Sequence, residues 1–397
     1  MISMIIKYLW AQRRSNALLF AELIIVGVFL FFILDISTAA YRKYANPSGF
    51  NVEQCYVLRI GLNNPDSANA VEIKNQLDSY LAGRDEVENV ASTFHSEPYS
   101  GSSNSLPIII NGVSYQMEIK EGDEQLASIL QIPIVEGRWF TSSEMYQKKN
   151  ICVISKTLKE MLGDKGNVGC YIDRGFNMGG ECQIVGVVGD TKGSTFELVR
   201  PILYVPLNID GLKYGWRSIV KIRKSAEDNF AATLQYINND LSKSLGFSLS
   251  EAKSFDQMRE TIDADQINSI SGIFWCVIFF LVNIFLGIYI VFAGRMKKRF
   301  QEIGLRMAVG SSRRDIIKLI AGESILLLVF SSLIVLIVVV NLAYFGYLEP
   351  SFPVTFWRVA GVFIFTEFIL LVSVLSSVLI PALKASKVNP AVALHYE

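Results

Sequence analysis

Apolar residues gather in four long runs, and one long stretch of mixed character separates the first run from the other three. A run of about 20 apolar residues is needed to cross the hydrocarbon core of a bilayer. The first is Ala17 to Leu34, interrupted only by Glu22; the second is Ile270 to Ala293, with Asn283 as its one strongly polar residue. The third covers Leu319 to Leu342 with Glu323 near its start, and the fourth covers Val359 to Leu383 with Glu367 inside it. The pattern predicts transmembrane helices over 17–38, 269–294, 319–342 and 359–383. The rival for the first is a cleavable signal peptide ending near Ala40, but signal apolar regions are usually 7–15 residues and this run is longer.

Between the first two spans, 39–268 reads as mixed α/β. Val113, Tyr115, Met117 and Ile119 alternate with Ser114, Gln116, Glu118 and Lys120, the period-two signature of a half-buried strand. Leu106 to Ile110 precedes it, and Asn111-Gly112 supplies a tight hairpin turn. Further strands are expected at Cys152–Ile154, Ile184–Val188 and Ile202–Val205. Two strand–helix units flank these. In one, Tyr56 to Ile60 precedes an apolar helical stripe of Ile73, Leu77 and Leu81. In the other, Ile219 to Ile222 precedes Phe230, Leu234, Ile237 and Leu241, with a further strand at Phe247–Leu249. The expected arrangement is a split α/β part, 50–90 with 215–256, carrying a β-rich insertion over 91–214. The fold class is thus an integral α-helical membrane protein with four transmembrane helices and a large mixed α/β extracytoplasmic domain inserted between helices 1 and 2.

Charge orients these spans. Lys7, Arg13 and Arg14 precede the first; Arg295, Lys297, Lys298, Arg299, Arg306, Arg313, Arg314 and Lys318 lie between the second and third; Lys384 and Lys387 follow the fourth. The short loop 343–358 carries only Glu349 and Arg358, and acidic residues outnumber basic ones across 39–268. Basic short loops stay inside the cell, so both termini are expected to be cytoplasmic. Composition agrees: 51% of residues are hydrophobic and only 19% charged, below the quarter usual in soluble proteins.

Candidate chemistry is sparse. No G-x-x-x-x-G-K-[ST] loop, nucleophile elbow or zincin motif occurs. The only histidines, His95 and His395, lack metal-ligand spacing, so no catalytic, cofactor or metal site is expected and the chain reads as non-enzymatic. Four cysteines, Cys55, Cys152, Cys170 and Cys182, fall in the external domain, where an oxidising compartment permits disulfides. Cys170 and Cys182 flank the Gly-rich turn Arg174–Gly180 and are a candidate pair, although small buried thiols explain all four equally well. Cys276 in the second span reads as packing. Glu22 and Glu323 lie near the cytoplasmic ends, where snorkelling or basic neighbours accommodate them. Glu367 lies deeper and is a candidate coupling residue or a bonded neutral acid, and Asn283 is a candidate interhelical hydrogen-bonder.

The cytoplasmic segments carry more information. In 1–16, Ile2, Ile5, Ile6, Leu9 and Trp10 share a helical face, an amphipathic helix at the lipid surface. The loop 295–318 begins as helix, with Glu302, Ile303, Arg306 and Met307 at helical spacing, and breaks at Gly310. Ser312 then reads as an N-cap, with Asp315 completing a capping-box-like pair. The tail is 384–397.

The stretch RFQEIGLRMAVGSSRRDIIKLIAGESILL, Arg299 to Leu327, closely resembles the FtsX-like, or MacB-type, permease family of ABC transporters. The ending PALKASKVNPAVALHYE, Pro381 to Glu397, resembles that family's C-terminus, and IKYLWAQRRSNALLFAELIIVG is similar more loosely. The order of one span, a large external domain and three spans also matches. The resemblance implies a permease subunit in a bacterial inner membrane, paired with an identical or homologous chain, with ATP and Mg held by a separate ATPase subunit. It implies that a cytoplasmic helix docks on that ATPase, here through Glu302, Ile303, Leu305, Arg306, Met307, Gly310, Ser312, Arg313, Arg314 and Asp315. Mechanotransmission to a periplasmic porter-like domain would serve export or lipoprotein or peptide handling, with a periplasmic adaptor and outer-membrane channel as further partners. The alternatives are a regulator of a cell-wall hydrolase, as in division-type members, or a sensor or scaffold without ATPase. Beyond membrane lipid and these proteins no nucleic-acid partner is implied.

Overall fold

The computed structural model describes residues 13–63, 69–101, 103–110, 112–173, 180–224, 227–298 and 300–386. The chain divides into two compact units, Lys43–Ile267 and the remaining helical part.

The first unit is built on an 11-stranded sheet. Its strands are β1 (Cys55–Leu62), β2 (Val87–Phe94), β3 (Ser105–Ile110), β4 (Val113–Gly122), β5 (Ile134–Gly137), β6 (Ile151–Ser155), β7 (Tyr171–Asp173), β8 (Glu181–Val188), β9 (Ile202–Pro206), β10 (Trp216–Ile222) and β11 (Phe247–Ser254). The order is β11-β1-β10-β2-β4-β9-β6-β8-β5, with β3 on β4 and β7 on β8. Among the described strands, only the pairs β4–β9 and β6–β8 run parallel. The strand β2 pairs with β10 through Arg217↔Thr93, so the first half of the sheet runs past the Ala91 boundary to Phe94.

Period-two alternation sorts β1 between two cores. Leu58 and Ile60 meet Ile73, Leu77 and Leu81 of a helix over Ala70–Ala82 and Phe230 of another over Glu227–Tyr236. Cys55 and Val57 face the opposite core with Ile219, Tyr204 and Phe255. In the second half, Met117 and Ile119 pack with Cys152, Ile154, Cys182, Ile184 and Leu203. The hairpin is present, with Ile110 opposite Val113 and Gly112 at φ +79°; Asn111 lies outside the described residues. Its outer part departs from the expected half-buried strand. Val113 and Tyr115 are exposed because β9 covers β4 only from Glu118 onward.

All five cysteines are free thiols, which corrects the candidate Cys170–Cys182 pair. The hairpin register sets Ile172, not Cys170, opposite Cys182, so the two thiols are staggered within one apolar cluster. Residues 174–179 of the intervening turn lie outside the described residues.

The helical part holds α1 (Arg13–Ala45), α2 (Phe255–Lys298), α3 (Phe300–Ala308), α4 (Arg313–Tyr344) and α5 (Phe356–Ser386). Four of these are long and apolar enough to cross a membrane: α1 and α4 throughout most of their length, α2 to Gly294 and α5 to Leu383. Each outruns its apolar stretch, because backbone hydrogen bonding carries a helix on until a cap or breaker intervenes. For α1 the next breaker is Pro47-Ser48-Gly49. The bundle core joins Leu19, Leu23, Val26 and Leu30 of α1 to Ile284, Ile288, Leu328, Leu370 and Val374. A Cβ on Gly27 would lie 2.9 Å from Val335, so glycine there permits close approach of α1 and α4. At the last turn of α1, the buried Lys192 ammonium donates to the carbonyl oxygens of Lys43, Asn46 and Thr195. A cation at a helix C-terminus satisfies carbonyls that have no intrahelical partner.

Candidate functional site

The segment between the second and third apolar helices forms the short helix α3, a turn, and the start of α4. Glycine is needed in that turn: Gly310 sits at φ +106°, a region closed to residues with a Cβ. Ser312 then starts α4. Its Oγ accepts from the Asp315 backbone at 3.3 Å while the Asp315 carboxylate accepts from the Ser312 backbone at 3.1 Å, a complete capping box. The residues named for coupling divide by direction. Ile303 is buried in the bundle core and Met307 packs beside it, so these two anchor α3 rather than offer a surface. Leu305 and Val309 point the other way and are 55% and 82% exposed. Arg313, Arg314, Ser312 and Asp315 are exposed beside them, and Arg306 is half-buried. The Glu302 side chain and the amphipathic 1–12 segment lie outside the described residues, as does 387–397 with His395.

The polar residues within the spans have four different environments. Glu22 lies over Gly287, where an added Cβ would come within 2.7 Å of its carboxylate. Glu323 is buried in the bundle and so does not snorkel to the surface. Asn283 donates to the Phe279 carbonyl of its own helix at 2.7 Å and is exposed, so it satisfies its own backbone instead of bonding a neighbouring helix. Glu367 lies in a groove of about 500 Å³ between α4 and α5, among Leu328, Leu333, Phe363 and Phe368. One of its oxygens accepts from the Ser332 hydroxyl, and the other has no partner among the described residues.

A further pair went unrecognised in the sequence. Asp35 near the end of α1 and Arg358 at the start of α5 form a buried fork. Nε and Nη2 donate to Oδ1 and Oδ2 at 2.9 and 2.7 Å. The remaining donors of Arg358 reach the carbonyls of Phe352 and Glu349, and the Glu349 amide donates to Asp35. Every charge here is met by hydrogen bonds, the condition under which burial of an ion pair is tolerated. The available signal was positional: one acid and one base at the flanks of two spans, on the side opposite the basic loops.

In the α/β unit a second buried carboxylate has a poorer setting. Asp123 accepts from the Ser92 and Gln125 amides, with the Lys74 ammonium at 3.9 Å. Lys74 is shared with Asp78 at 2.6 Å, and Glu124 lies near. Desolvation, only partly offset by Lys74, pushes Asp123 up to about 7. Among the described residues, no three His, Cys, Asp or Glu are grouped to hold a metal ion.

Comparison with known proteins assigns both units. The MacB-like periplasmic core domain matches residues 20–264, and the FtsX-like permease C-terminal region matches 274–390. The uncharacterized ABC transporter permease YvrN of Bacillus subtilis (strain 168) is 24% identical over 306 residues, covering 72% of this chain and 72% of its own. The periplasmic region of MacB from Actinobacillus actinomycetemcomitans is similar at 16% identity with a TM-score of 0.36, over 56% of this chain and 98% of that one. The extracellular domain of the noncanonic ABC-type transporter YknZ from Gram-positive bacteria is similar at 16% identity with a TM-score of 0.34, over 49% and 100%. With its four apolar helices, its inserted α/β domain and these two matches, the chain belongs to the FtsX-like permeases of ABC transporters that carry a MacB-like periplasmic core domain.

Proposed function

We propose that this permease relays movement of a separate ATPase subunit, which holds ATP and Mg, to its extracytoplasmic domain by mechanotransmission. Both termini and α3 lie in the cytoplasm, the α/β unit lies on the other side of the cell's inner membrane, and the working assembly contains a second permease chain, identical or homologous. The observation that carries this reading is the two-sided α3. Its inner face is fixed to the spans by Ile303 and Met307, while Leu305 and Val309 stand exposed next to Arg306, Arg313 and Arg314. An exposed apolar pair with three arginines close by in the chain suits a partner groove with an acidic rim. A short helix fixed at its base and bounded by a capped turn passes displacement on rather than absorbing it.

The test is affinity capture of the full chain from native membranes in mild detergent, with the co-purifying proteins identified. The wild-type chain should recover a P-loop ATPase. The Arg306→Glu, Arg313→Glu double variant should lose it while the extracytoplasmic unit unfolds at an unchanged temperature. Undiminished ATPase recovery with the double variant would remove α3 from the coupling role. An outer-membrane channel or a wall hydrolase in the wild-type eluate would separate export from hydrolase regulation.

A further inference from the structure

Among the described strands, the two halves of the sheet are joined by one pairing, β2 with β4, at Thr93↔Gly122 and Phe94↔Glu121. Beyond that joint the chain bends sharply. His95 and Tyr99 both hold positive φ, at 47° and 56°, and Gly101 follows at 68°. Non-glycine residues in this region cost on the order of 1 kcal/mol or more each, so the surroundings must enforce the shape. The clasp is visible: the Tyr99 amide donates to the Gly193 carbonyl at 2.7 Å, and its hydroxyl meets Thr195 Oγ1 at 3.3 Å. Under this clasp lie two adjoining cavities of about 70 and 250 Å³ that share Glu97, Ser100 and Ile262.

Two charged groups in these walls are incompletely met. Glu97, only 4% exposed, pairs with Arg217 through one oxygen, and its Oε2 is buried with no hydrogen-bond partner among the described residues. Lys120, 8% exposed, faces Glu118, Glu197 and Glu97, and its ion pair with Glu118, at 3.8 Å, is beyond hydrogen-bond reach. The other Glu118 oxygen is taken by Arg200 at 3.2 Å. Buried charge left in this state is costly and is normally completed by hydrogen bonds. Both groups line the smaller cavity, so the space between them asks for a donor at one end and an acceptor at the other. A metal ion supplies no acceptor, and a simple anion would leave Glu97 unmet. The larger cavity adds an apolar wall, Met258 and Ile262, next to Val57. Burial lowers the Lys120 pKa and raises that of Glu97 despite Arg217, so a ligand carrying both charges would favour the ionised form of each.

We propose that these joined cavities bind a small zwitterion with an apolar side group, an α-amino acid or dipeptide. Its ammonium sits on Glu97 Oε2, its carboxylate on Lys120 Nζ, and its side chain lies against Met258 and Ile262. The assignment is independent of the ATPase-coupling role of α3.

The experiment is calorimetric titration of the detergent-solubilised full chain with leucine and with leucyl-alanine, alongside N-acetyl-leucyl-alanine and leucyl-alaninamide. At least one zwitterion should bind, and blocking either end of the dipeptide should weaken or abolish binding by roughly tenfold or more. Lys120→Met should weaken it similarly. Because Glu97 also holds the buried Arg217, Glu97→Gln is paired with Ser100→Tyr, which fills the shared neck and leaves that ion pair alone. Each variant's thermal unfolding is followed to confirm that it folds. No heat from either zwitterion, equal binding of the blocked dipeptides, or undiminished binding by a folded Lys120→Met or Ser100→Tyr chain would overturn the proposal and leave the cavities to water.

Discussion

Asp35 and Asp123 are both aspartates with almost no solvent exposure, and both have a cation nearby. Yet one sits in a lock and the other in a strained cluster. Asp35 receives a two-pronged guanidinium whose remaining donors end on carbonyls, so charge and geometry are both complete. Asp123 shares one ammonium with Asp78, close to Glu124, and buried oxygens of both neighbours lack partners among the described residues. Burial therefore does not decide the sign of a carboxylate's contribution. The ratio of acids to bases and the fit of the donors decide it. The bidentate planar fork of arginine meets both oxygens at once, which the single ammonium of Lys74 does not do.

This contrast can be broken most directly at Asp35. Asp35→Ala strands the Arg358 guanidinium and should cost about 3–5 kcal/mol, read as a large drop in the unfolding temperature of the purified chain in detergent. An unchanged temperature would mean that the fork holds nothing together.

Asp123→Asn should move stability the other way at neutral pH. A raised folded pKa means that the native state holds its proton more tightly than the unfolded chain, so the favourable contribution is complete below about 4 and is lost as pH rises to about 7. The Asn variant lacks this loss. It should match the wild-type chain near pH 4 and exceed it by about 4 kcal/mol above pH 7, at about 1.4 kcal/mol per pKa unit. Parallel stability–pH curves for the two chains would contradict the setting described for Asp123.

Smaller effects sharpen the series. Ser312→Ala removes the hydroxyl of the capping box and should cost about 1 kcal/mol, seen as faster amide exchange in the first turn of α4. Glu367→Gln keeps an acceptor for Ser332 while removing the unpartnered acid, and unfolding should shift by no more than about 0.5 kcal/mol. A large loss there would show that the ionised form of Glu367 is needed.

Sequence pattern carried furthest where a single periodicity ruled. The four apolar spans, the β3–β4 hairpin, the strands around Cys152 and Ile184 and the stripes at Ile73 and Phe230 all follow from period or length alone. The pattern also exposed Gly310 and Ser312, because a glycine stop and a capping pair are local chemistry. It missed β2, whose Val87–Phe94 sequence VENVASTF mixes charge and apolar residues without alternation, since the strand is covered unevenly on its two faces. It missed β5 and β7, of four and three residues, which are too short to show a period. The direction of α3 was hidden as well: helical spacing groups Ile303 with Met307 but does not say that this face turns inward. The Asp35–Arg358 fork joins residues 323 positions apart, and no local rule reaches that far.

One small contact constrains where the first helix ends. Lys192 holds the Lys43 carbonyl in the last turn of α1 and the Asn46 carbonyl just beyond it, while also holding Thr195 on its own loop. Unwinding of this helix end must move the Lys192 loop with it or break both charge-assisted bonds from the ammonium, so the stop of α1 is pinned by a residue 149 positions along the chain from Lys43.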